Sequence, residues 1–522
     1  MSGDHRKKKV RRRYSDQARP SGGQAGARSC AQTPVSDRVG DQGEVVHGSI
    51  PQDCVVITPQ MLPLVKLTSV EIEKITSAVP GGPRNVQDIY PLAPVQEGML
   101  FHHRVATRGD PYLRASLGSF DTRVRMDRYL QALQAVVDRH DILRTAILWE
   151  ELSQPVQVVW RVATLPIEEV ALNGTVGDST EQLLARFNPR QIRLDVREAP
   201  MLRIKIARAG TDGRWFVLML FHHLAYDGVT LEIMKSEVRA HLLGKTDQLP
   251  TPRSFRNFVA DVRLGVSEGK LEAFFRQMLR DVEEPTAPFG LLEVLGDGSD
   301  LREAHCEVNR DLIRRLRERA SKLGMSVTRL YHLAWGQVLA RVSGSSDVIF
   351  GTMLSGRTRP ALGENNAGLM MGPAINIVPI RLQVGNLPVE TSVRDTHALL
   401  TSLSRNKHAS LALTRRCSAV AASTPLFSAL FNYRRRPDSF EAAEIESVQE
   451  WKGIEGIYGG LTNYPLALAV DELDERSLLT AQVQTPIEPM RVCNMMHTAL
   501  ERLVEALERA PHTPICDLDV LP

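Results

Sequence analysis

Two pairs of adjacent histidines are the residues whose types and spacing could do chemistry. FHHRVATRGD spans residues 101–110 and FHHLAYDG spans residues 221–228, although histidine makes up only 14 of the 522 residues. An imidazole of ordinary pKa gains and loses a proton near neutral pH, so either pair could supply a general acid or base. The two motifs therefore predict proton transfer.

The second motif follows the apolar run WFVLML, which predicts a buried strand that ends at the histidines. Successive strand side chains point to opposite faces, so we expect His222 and His223 to differ, with one in a cleft and one buried and hydrogen-bonded. Asp227 could order the next loop or pair with a cation, and Gly228 permits a turn with an exposed N–H. These residues suit acyl transfer without a covalent enzyme intermediate. A strand-end histidine satisfied by backbone carbonyls is the alternative.

Helices and strands must alternate to position these motifs. An amphipathic helix is predicted for MDRYLQALQAVVDRHDIL, a hairpin for RTAILWE with QPVQVVW, a helix for DSTEQLLARFNPRQIRL, and two strands for MLRIKIARAG and RWFVLMLFHH. A similar order recurs in the second half, where DVIFGTML, INIVPIRLQV, LFSALFNYR and YPLALAVDEL read as strands between helices. The recurrence permits two α/β lobes.

Length and composition predict a globular protein with more than one core. A chain of 522 residues exceeds one ordinary core, and 43% hydrophobic with 24% charged residues is typical of globular proteins. We expect a disordered basic tail at 1–45, a linker with a short helix at 46–85, an N-terminal lobe at 86–260 and a C-terminal lobe at 261–522. The tail contains RKKKVRRR, which could dock on nucleic acid or serve as a solvated extension. With a net charge of +3, no nucleic-acid partner is expected.

Several classes of protein do not fit the sequence. No apolar run approaches the roughly 20 residues of a membrane helix, so no membrane partner is expected. The six cysteines are scattered without a CxxC pair, which disfavours a disulfide framework and a zinc site and suits a reducing, cytoplasmic location. The sequence therefore predicts no metal site.

Five segments, in order, resemble the motifs of nonribosomal peptide synthetase condensation domains, over about residues 51–522. They are DIYPLAPVQEGMLFHH, RHDILRTAI, FHHLAYDG, GPAINIVPIR and TPLFSALFNYR. The third matches the family's HHxxxDG motif. The resemblance implies an α/β (α+β) fold in which two chloramphenicol acetyltransferase-like lobes form a V with the active site between them.

The resemblance also implies roles for single residues. His223 would be the catalytic histidine where two phosphopantetheine tunnels meet, deprotonating or orienting the acceptor amine. Asp227 would be mainly structural and would pair with the arginine of RHDILRT that we assign as Arg144. Gly228 would offer its N–H to the developing oxyanion.

Two further positions follow from the same motifs. Asn376 would line the cleft, and His222 would support the site structurally beside the catalytic histidine. INIV stands where the family usually has INT, which could alter the lining of the tunnel.

The first motif is similar to the HH(I/L)xxxxGD signature of the dual condensation/epimerisation subgroup, as are VPGG, NVQDIYPLAP and APFGLLEV. This likeness implies that the donor residue is inverted at its α-carbon before it is condensed. His102 and His103 would then join the catalytic set as a second proton-transfer pair. Arg104 departs from the signature's Ile or Leu. Plain condensation, with both histidines hydrogen-bonding locally, is the alternative.

The chain shows no carrier GGxS serine and no Gly-rich P-loop with lysine. The resemblance therefore implies that the chain binds no cofactor and that its substrates arrive on the 4'-phosphopantetheine of donor and acceptor peptidyl carrier domains. Synthetase modules with adenylation domains would be further partners. The alternatives are a CoA-dependent acyltransferase and a non-catalytic interface domain that recruits a tailoring enzyme.

Overall fold

The computed structural model describes residues 50–172, 179–209, 213–294, 300–357, 370–435, 454–458, 462, 464–473 and 476–522. All of them belong to one compact unit, Val45–Pro522. The tail predicted at 1–45, with its RKKKVRRR segment, lies outside the described residues. Among the described helices, none combines the length and the apolar character needed to span a membrane.

Helices and strands alternate along the described chain. The helices are α1 (Ser69–Ala78), α2 (Pro94–Val105), α3 (Arg123–Arg139), α4 (Ser179–Arg186), α5 (Gly228–Leu242), α6 (Phe255–Gly265), α7 (Glu268–Leu279), α8 (Arg310–Lys322), α9 (Thr328–Ser343), α10 (Val389–Arg405), α11 (Leu411–Arg416) and α12 (Pro489–Arg509). The strands are β1 (Val86–Pro91), β2 (Leu113–Phe120), β3 (Thr145–Leu148), β4 (Val156–Trp160), β5 (Ile167–Glu169), β6 (Leu202–Arg208), β7 (Trp215–His222), β8 (Leu301–Val308), β9 (Asp347–Ser355), β10 (Ile375–Gln383), β11 (Ala429–Arg435), β12 (Ile454–Tyr458), β13 (Leu466–Glu472) and β14 (Ser477–Gln484). The predicted mixed α/β fold is confirmed.

The strands form three sheets. A three-stranded sheet has the order β1-β4-β3, a five-stranded sheet the order β12-β2-β7-β6-β5, and a six-stranded sheet the order β10-β9-β11-β13-β14-β8. The five-stranded sheet holds the motif strand β7, which pairs antiparallel with both β2 and β6. Its edge strand β12 lies far along the chain, in the segment that the sequence assigned to the C-terminal lobe, and pairs with β2.

Most predicted elements occur where the pattern placed them. β3 and β4 form the predicted hairpin, and β6 and β7 form the predicted antiparallel pair. Helix α4 is shorter than predicted and ends at Arg186. The prediction continued it through Pro189, but proline excludes the preceding residue from helical backbone and lacks the N–H that a helix interior requires. Strand β2 was not predicted.

Apolar faces fix the elements around the site. The core against the five-stranded sheet contains Leu117 and Leu218 and extends to Met371 and Ala374 from the second half of the chain. The core against the six-stranded sheet is built around Trp335 and other large side chains. Because the first core includes residues from both halves, packing holds the end of β7 against the region around Met371.

Candidate active site

The adjacent histidines at the end of β7 have different environments, as the alternation of strand side chains predicts. His222 is completely buried. Its Nδ1 accepts a hydrogen bond from the Leu224 N–H at 3.1 Å, so Nε2 carries the proton and donates to Asp110 Oδ2 at 3.0 Å. His223 instead lines a large cavity. Only His223 of this pair can meet a substrate.

Backbone groups orient His223. Its N–H donates to the carbonyl of Tyr112 at 2.9 Å, and its Nδ1 lies 2.6 Å from the carbonyl of Tyr226. A carbonyl only accepts, so Nδ1 carries the proton and Nε2 keeps a lone pair. Burial, reinforced by the charge of Arg114, lowers the pKa of His223 to about 3. The imidazole is therefore neutral throughout the physiological pH range.

The cavity has a volume of about 2480 Å³, well above the roughly 300–1,000 Å³ of a usual small-molecule pocket. Around the imidazole of His223, its wall includes His102, Tyr112, Arg114 and Gly228. Strands and loops of the second half of the chain complete the wall, with residues that include Ser355, Arg357, Asn376, Phe427 and Tyr464. A space of this size accommodates extended, arm-like substrates.

The first pair of histidines also divides between the cavity and the interior. His102 and His103 are consecutive residues of α2, and consecutive helical side chains point about 100° apart. His102 lines the cavity, with Nδ1 at 2.8 Å from Tyr112 Oη and its ring stacked on that of Tyr112. His103 is buried, with Nδ1 at 2.5 Å from Asp110 Oδ2. One histidine of each pair therefore reaches the cavity.

A single buried carboxylate connects the two pairs. Asp110 Oδ2 accepts from His103 and His222, and Oδ1 accepts the Tyr112 N–H at 2.9 Å. Burial favours the neutral acid, but the nearby His222 and these donated hydrogen bonds outweigh it and hold the pKa of Asp110 well below its usual range. The carboxylate is therefore ionised and orders both motifs.

The residue before this carboxylate must be glycine. Gly109 has a φ of +66°, and a Cβ there would lie 2.1 Å from the Arg190 carbonyl oxygen. A side chain would therefore clash with backbone as well as strain the left-handed conformation. The structure thus explains why the first motif ends in Gly-Asp: the glycine permits the turn, and the aspartate holds His103 and His222.

His103, Asp110 and His222 also meet the spacing of a metal site, because their ligand atoms all lie within 4.8 Å of one another. In the arrangement described, both imidazoles present N–H groups to the carboxylate. A metal would need these nitrogens unprotonated. Within the described residues, the cluster is thus satisfied as a hydrogen-bonded network.

The predicted pairing of Arg144 with Asp227 is wrong. Asp227 instead forms an ion pair with Arg357, with 2.8 Å between Nη1 and Oδ2, and accepts the Thr230 N–H at 2.8 Å as the N-cap of α5. Arg144 donates to the side chain of Gln87 and to backbone carbonyls next to β4. It stands at the start of β3, so it braces the three-stranded sheet rather than the cavity.

Gly228 and Asn376 both line the cavity. Gly228 is the first residue of α5, where N–H groups have no partner within the helix and the helix dipole is positive. Asn376 is buried and donates to the carbonyls of Lys407 and Ala409 at 2.7 and 2.8 Å. Asn376 thus fixes the loop that borders the cavity.

The residues of the cavity wall that sequence reasoning missed include Tyr112, Arg114 and Arg357. Tyr112 and Arg114 belong to PYLRASLGSF, whose β2 strand was not recognised. Burial lowers the pKa of Arg114 to about 10, and its Nη1 donates to two backbone carbonyls. The signal in the sequence was the alternation of polar Tyr112, Arg114 and Ser116 with apolar residues along PYLRASLGSF, which is typical of a strand.

Comparison with known proteins gives a matching family model, described as Condensation domain, over residues 86–522. The chain is 46% identical to malpibaldin synthetase of Mortierella alpina over 475 residues, which is 89% of this chain and 8% of that protein. It is 44% identical to malpinin synthetase of the same organism, covering 94% of this chain and 6% of that protein. The chain thus spans less than a tenth of these two relatives.

Solved structures show the same fold at low identity. The condensation domain of the Monacolin K polyketide synthase is 19% identical, covers 83% of this chain and all of its own, and gives a TM-score of 0.60. A four-domain nonribosomal peptide synthetase is 13% identical, with 84% of this chain and 34% of its own covered and a TM-score of 0.64. At these identities the likeness shows the fold alone.

Proposed function

This chain belongs to the condensation-domain family, and from that premise we propose that it joins a carrier-bound aminoacyl or peptidyl thioester to a carrier-bound acceptor amine. The observation that carries the proposal is the position of His223, which lines the cavity with its Nε2 unprotonated. An acyl transfer from thioester to amine needs a proton acceptor at this place.

The geometry supports direct transfer. The acceptor nitrogen attacks the thioester carbonyl and forms the C–N bond, while His223 Nε2 takes the proton that the nitrogen loses. The C–S bond then breaks, and the sulfur of the donor arm leaves as a thiol with that proton. Because the pKa of His223 is lowered to about 3, the imidazole first orients the amine and accepts its proton only as the adduct forms.

Positive groups on the cavity wall favour the negative charge of the adduct. Gly228, the first residue of α5, lines the cavity and has an N–H without a partner inside the helix, and a preorganised donor of this kind is worth about 3–4 kcal/mol to an oxyanion. The guanidinium of Arg114 lines the same cavity. Its charge disfavours an imidazolium at His223 and favours an anion beside it.

We extend the proposal to inversion of the donor residue before condensation. His102 lines the same cavity as His223, which places two polar side chains from the two motifs within reach of one substrate. Arg104, the departure from the dual signature, is exposed, whereas Asp110 and its two histidine partners are buried. Arg104 is therefore compatible with the proposed inversion.

The partners proposed are the donor and acceptor peptidyl carrier domains, each bringing its substrate on a 4'-phosphopantetheine arm, together with adenylation-containing synthetase modules. The large volume of the cavity supports two arms that meet near His223. In this proposal the chain contributes side chains and backbone groups only, and every covalent acyl linkage stays on the carriers.

A reconstituted reaction tests the proposal. A carrier loaded with an L-aminoacyl donor and a second loaded with an aminoacyl acceptor are mixed with the protein, and dipeptidyl thioester is detected by mass spectrometry. We expect product from the wild type and a 10²–10⁴-fold loss in His223→Ala. His497→Ala, on α12 and outside the cavity wall, is the matched control and should keep the wild-type rate.

Three outcomes would contradict the proposal in different ways. No dipeptide from the wild type would refute condensation, and undiminished product from His223→Ala would refute the role of that histidine. Product formed from an aminoacyl-CoA and a free amine, but not from carriers, would favour a CoA-dependent acyltransferase.

A further inference from the structure

We propose that Tyr112 is the second proton-transfer residue of the cavity: its hydroxyl delivers the proton that completes inversion of the donor α-carbon. His102 acts through Tyr112 as a positioning residue. This inference rests on the inversion proposed above and names the groups that perform it.

Tyr112 and His223 are neighbours just beyond the paired ends of two strands, before β2 begins and after β7 ends. Their backbones are joined by the His223 N–H and the Tyr112 carbonyl, at 2.9 Å, and the next pair in the ladder is Leu113 with His222. Directly opposed side chains share one face and lie about 5 Å apart at Cβ. Both side chains line the cavity. An α-carbon held between their tips meets an imidazole on one side and a phenol on the other.

His102 controls which way the phenol donates. Its Nδ1 lies 2.8 Å from Tyr112 Oη and the two rings are parallel, with an interplanar angle of 2°. Burial lowers the pKa of His102, so the ring is neutral. In the tautomer protonated at Nδ1 it donates to the phenol oxygen, which leaves the phenol proton free for the substrate and stabilises a tyrosinate.

Burial also raises the pKa of Tyr112 above its usual value, so the phenol begins as a proton donor rather than a base. The roles of the two neighbours are thereby separated: His223 accepts and Tyr112 donates. His103 cannot take the second role, since its Nδ1–H is used by Asp110 in the interior.

The step balances without another reactant. His223 Nε2 takes the α-proton, the C–H electron pair passes into the thioester enolate, and the enolate collapses as the phenol proton forms a new C–H bond on the opposite face. The imidazolium then loses its proton to water in the cavity and the tyrosinate regains one. The net change is inversion alone.

Tyr112→Phe tests the inference with the loss of a single oxygen. The backbone carbonyl that holds His223 and the ring that stacks on His102 are both retained. With an L-donor in D₂O, we expect inversion to fall 10²-fold or more. His223 should still exchange the α-proton from its own side, so deuterium should enter with the L configuration retained. Condensation of a D-donor should fall far less than inversion does, because His223 and its backbone partner are retained.

Tyr331→Phe is the matched control, because Tyr331 is a buried tyrosine of α9 that is not part of the cavity wall. It should invert at the wild-type rate. The positioning role of His102 is tested with a pair of variants: His102→Ala should lose inversion, while His102→Asn, whose amide can replace the Nδ1–H, should restore part of it.

The outcomes separate this inference from the proposed function. A wild type that inverts while Tyr112→Phe inverts equally well would overturn the role of Tyr112 and leave the function intact. A wild type that condenses but retains the L configuration would overturn inversion and this inference together. Absence of any dipeptide would overturn the function itself. A His102→Asn variant no better than His102→Ala would overturn the positioning role.

Discussion

The ion pair between Asp227 and Arg357, two residues of the cavity wall, predicts that their contributions to the free energy of unfolding are strongly coupled. The two side chains are nearly buried, with exposed fractions of 4% and 10%, and their charged atoms lie 2.8 Å apart. At an effective dielectric constant of 20, charges at this distance attract by about 6 kcal/mol before desolvation is subtracted. Removing one partner of a buried pair costs about 3–5 kcal/mol, since the other charge stays buried and unpaired.

The single variants are expected at the lower end of that range. In Arg357→Leu, Asp227 still accepts from the N–H and hydroxyl of Thr230, and in Asp227→Asn, Arg357 still donates to the carbonyl of Gly372. We therefore expect each to lower the free energy of unfolding by about 3 kcal/mol. The double variant loses both charges and should fall only about 1 kcal/mol further, which gives a coupling of about 2 kcal/mol.

Urea unfolding of the four proteins in the cycle measures the coupling. A second cycle combines Asp227→Asn with Arg144→Leu, the pairing that the sequence favoured. Arg144 donates to Gln87 and to carbonyls beside β4, so this cycle should be additive within about 0.5 kcal/mol. Coupling of Asp227 to Arg144 but not to Arg357 would refute the structural assignment.

Two further predictions concern pH and backbone geometry. His332 is buried, and burial lowers its pKa to about 4. Between pH 6.5 and pH 4 the unfolded chain therefore binds this proton while the folded protein does not, so the free energy of unfolding decreases as the pH is lowered. His332→Gln should reduce that fall by about 3 kcal/mol between pH 7 and pH 4 in urea titrations, and an unchanged pH profile would contradict the reasoning. Gly109→Ala should lower the free energy of unfolding by at least 1–3 kcal/mol, because a Cβ would lie 2.1 Å from the Arg190 carbonyl oxygen; an alanine variant as stable as wild type would show that the loop adjusts without strain.

Local pattern was enough to predict the elements that carry the motifs. The apolar run before FHHLAYDG fixes β7, and strand alternation separates His222 from His223 without knowledge of any other strand. The hairpin of β3 and β4 follows in the same way from short-range sequence. Each of these predictions needs only residues that are close together along the chain.

Contacts between distant segments could not be read from such patterns. Asp227 and Arg357 are separated by 130 positions, and their pairing depends on the end of β9 meeting the start of α5. The sequence offered several arginines and no means of choosing among them. Strand β2 was missed although polar and apolar residues alternate along LRASLGSF, and seven of its eight residues are buried.

The contact between the two histidine pairs through Asp110 joins segments that are distant in sequence, and it determines which histidines reach the cavity. Asp110 takes one buried histidine from each pair, His103 and His222, and so leaves His102 and His223 to face the cavity. Because α2 and β7 are held by the same carboxylate, a shift of either element disturbs the other. The two buried histidines join the motifs through hydrogen bonds to Asp110, and the other two line one cavity. The geometry of the first motif therefore depends on both of its histidines and on Asp110, even though only one of those histidines reaches the cavity.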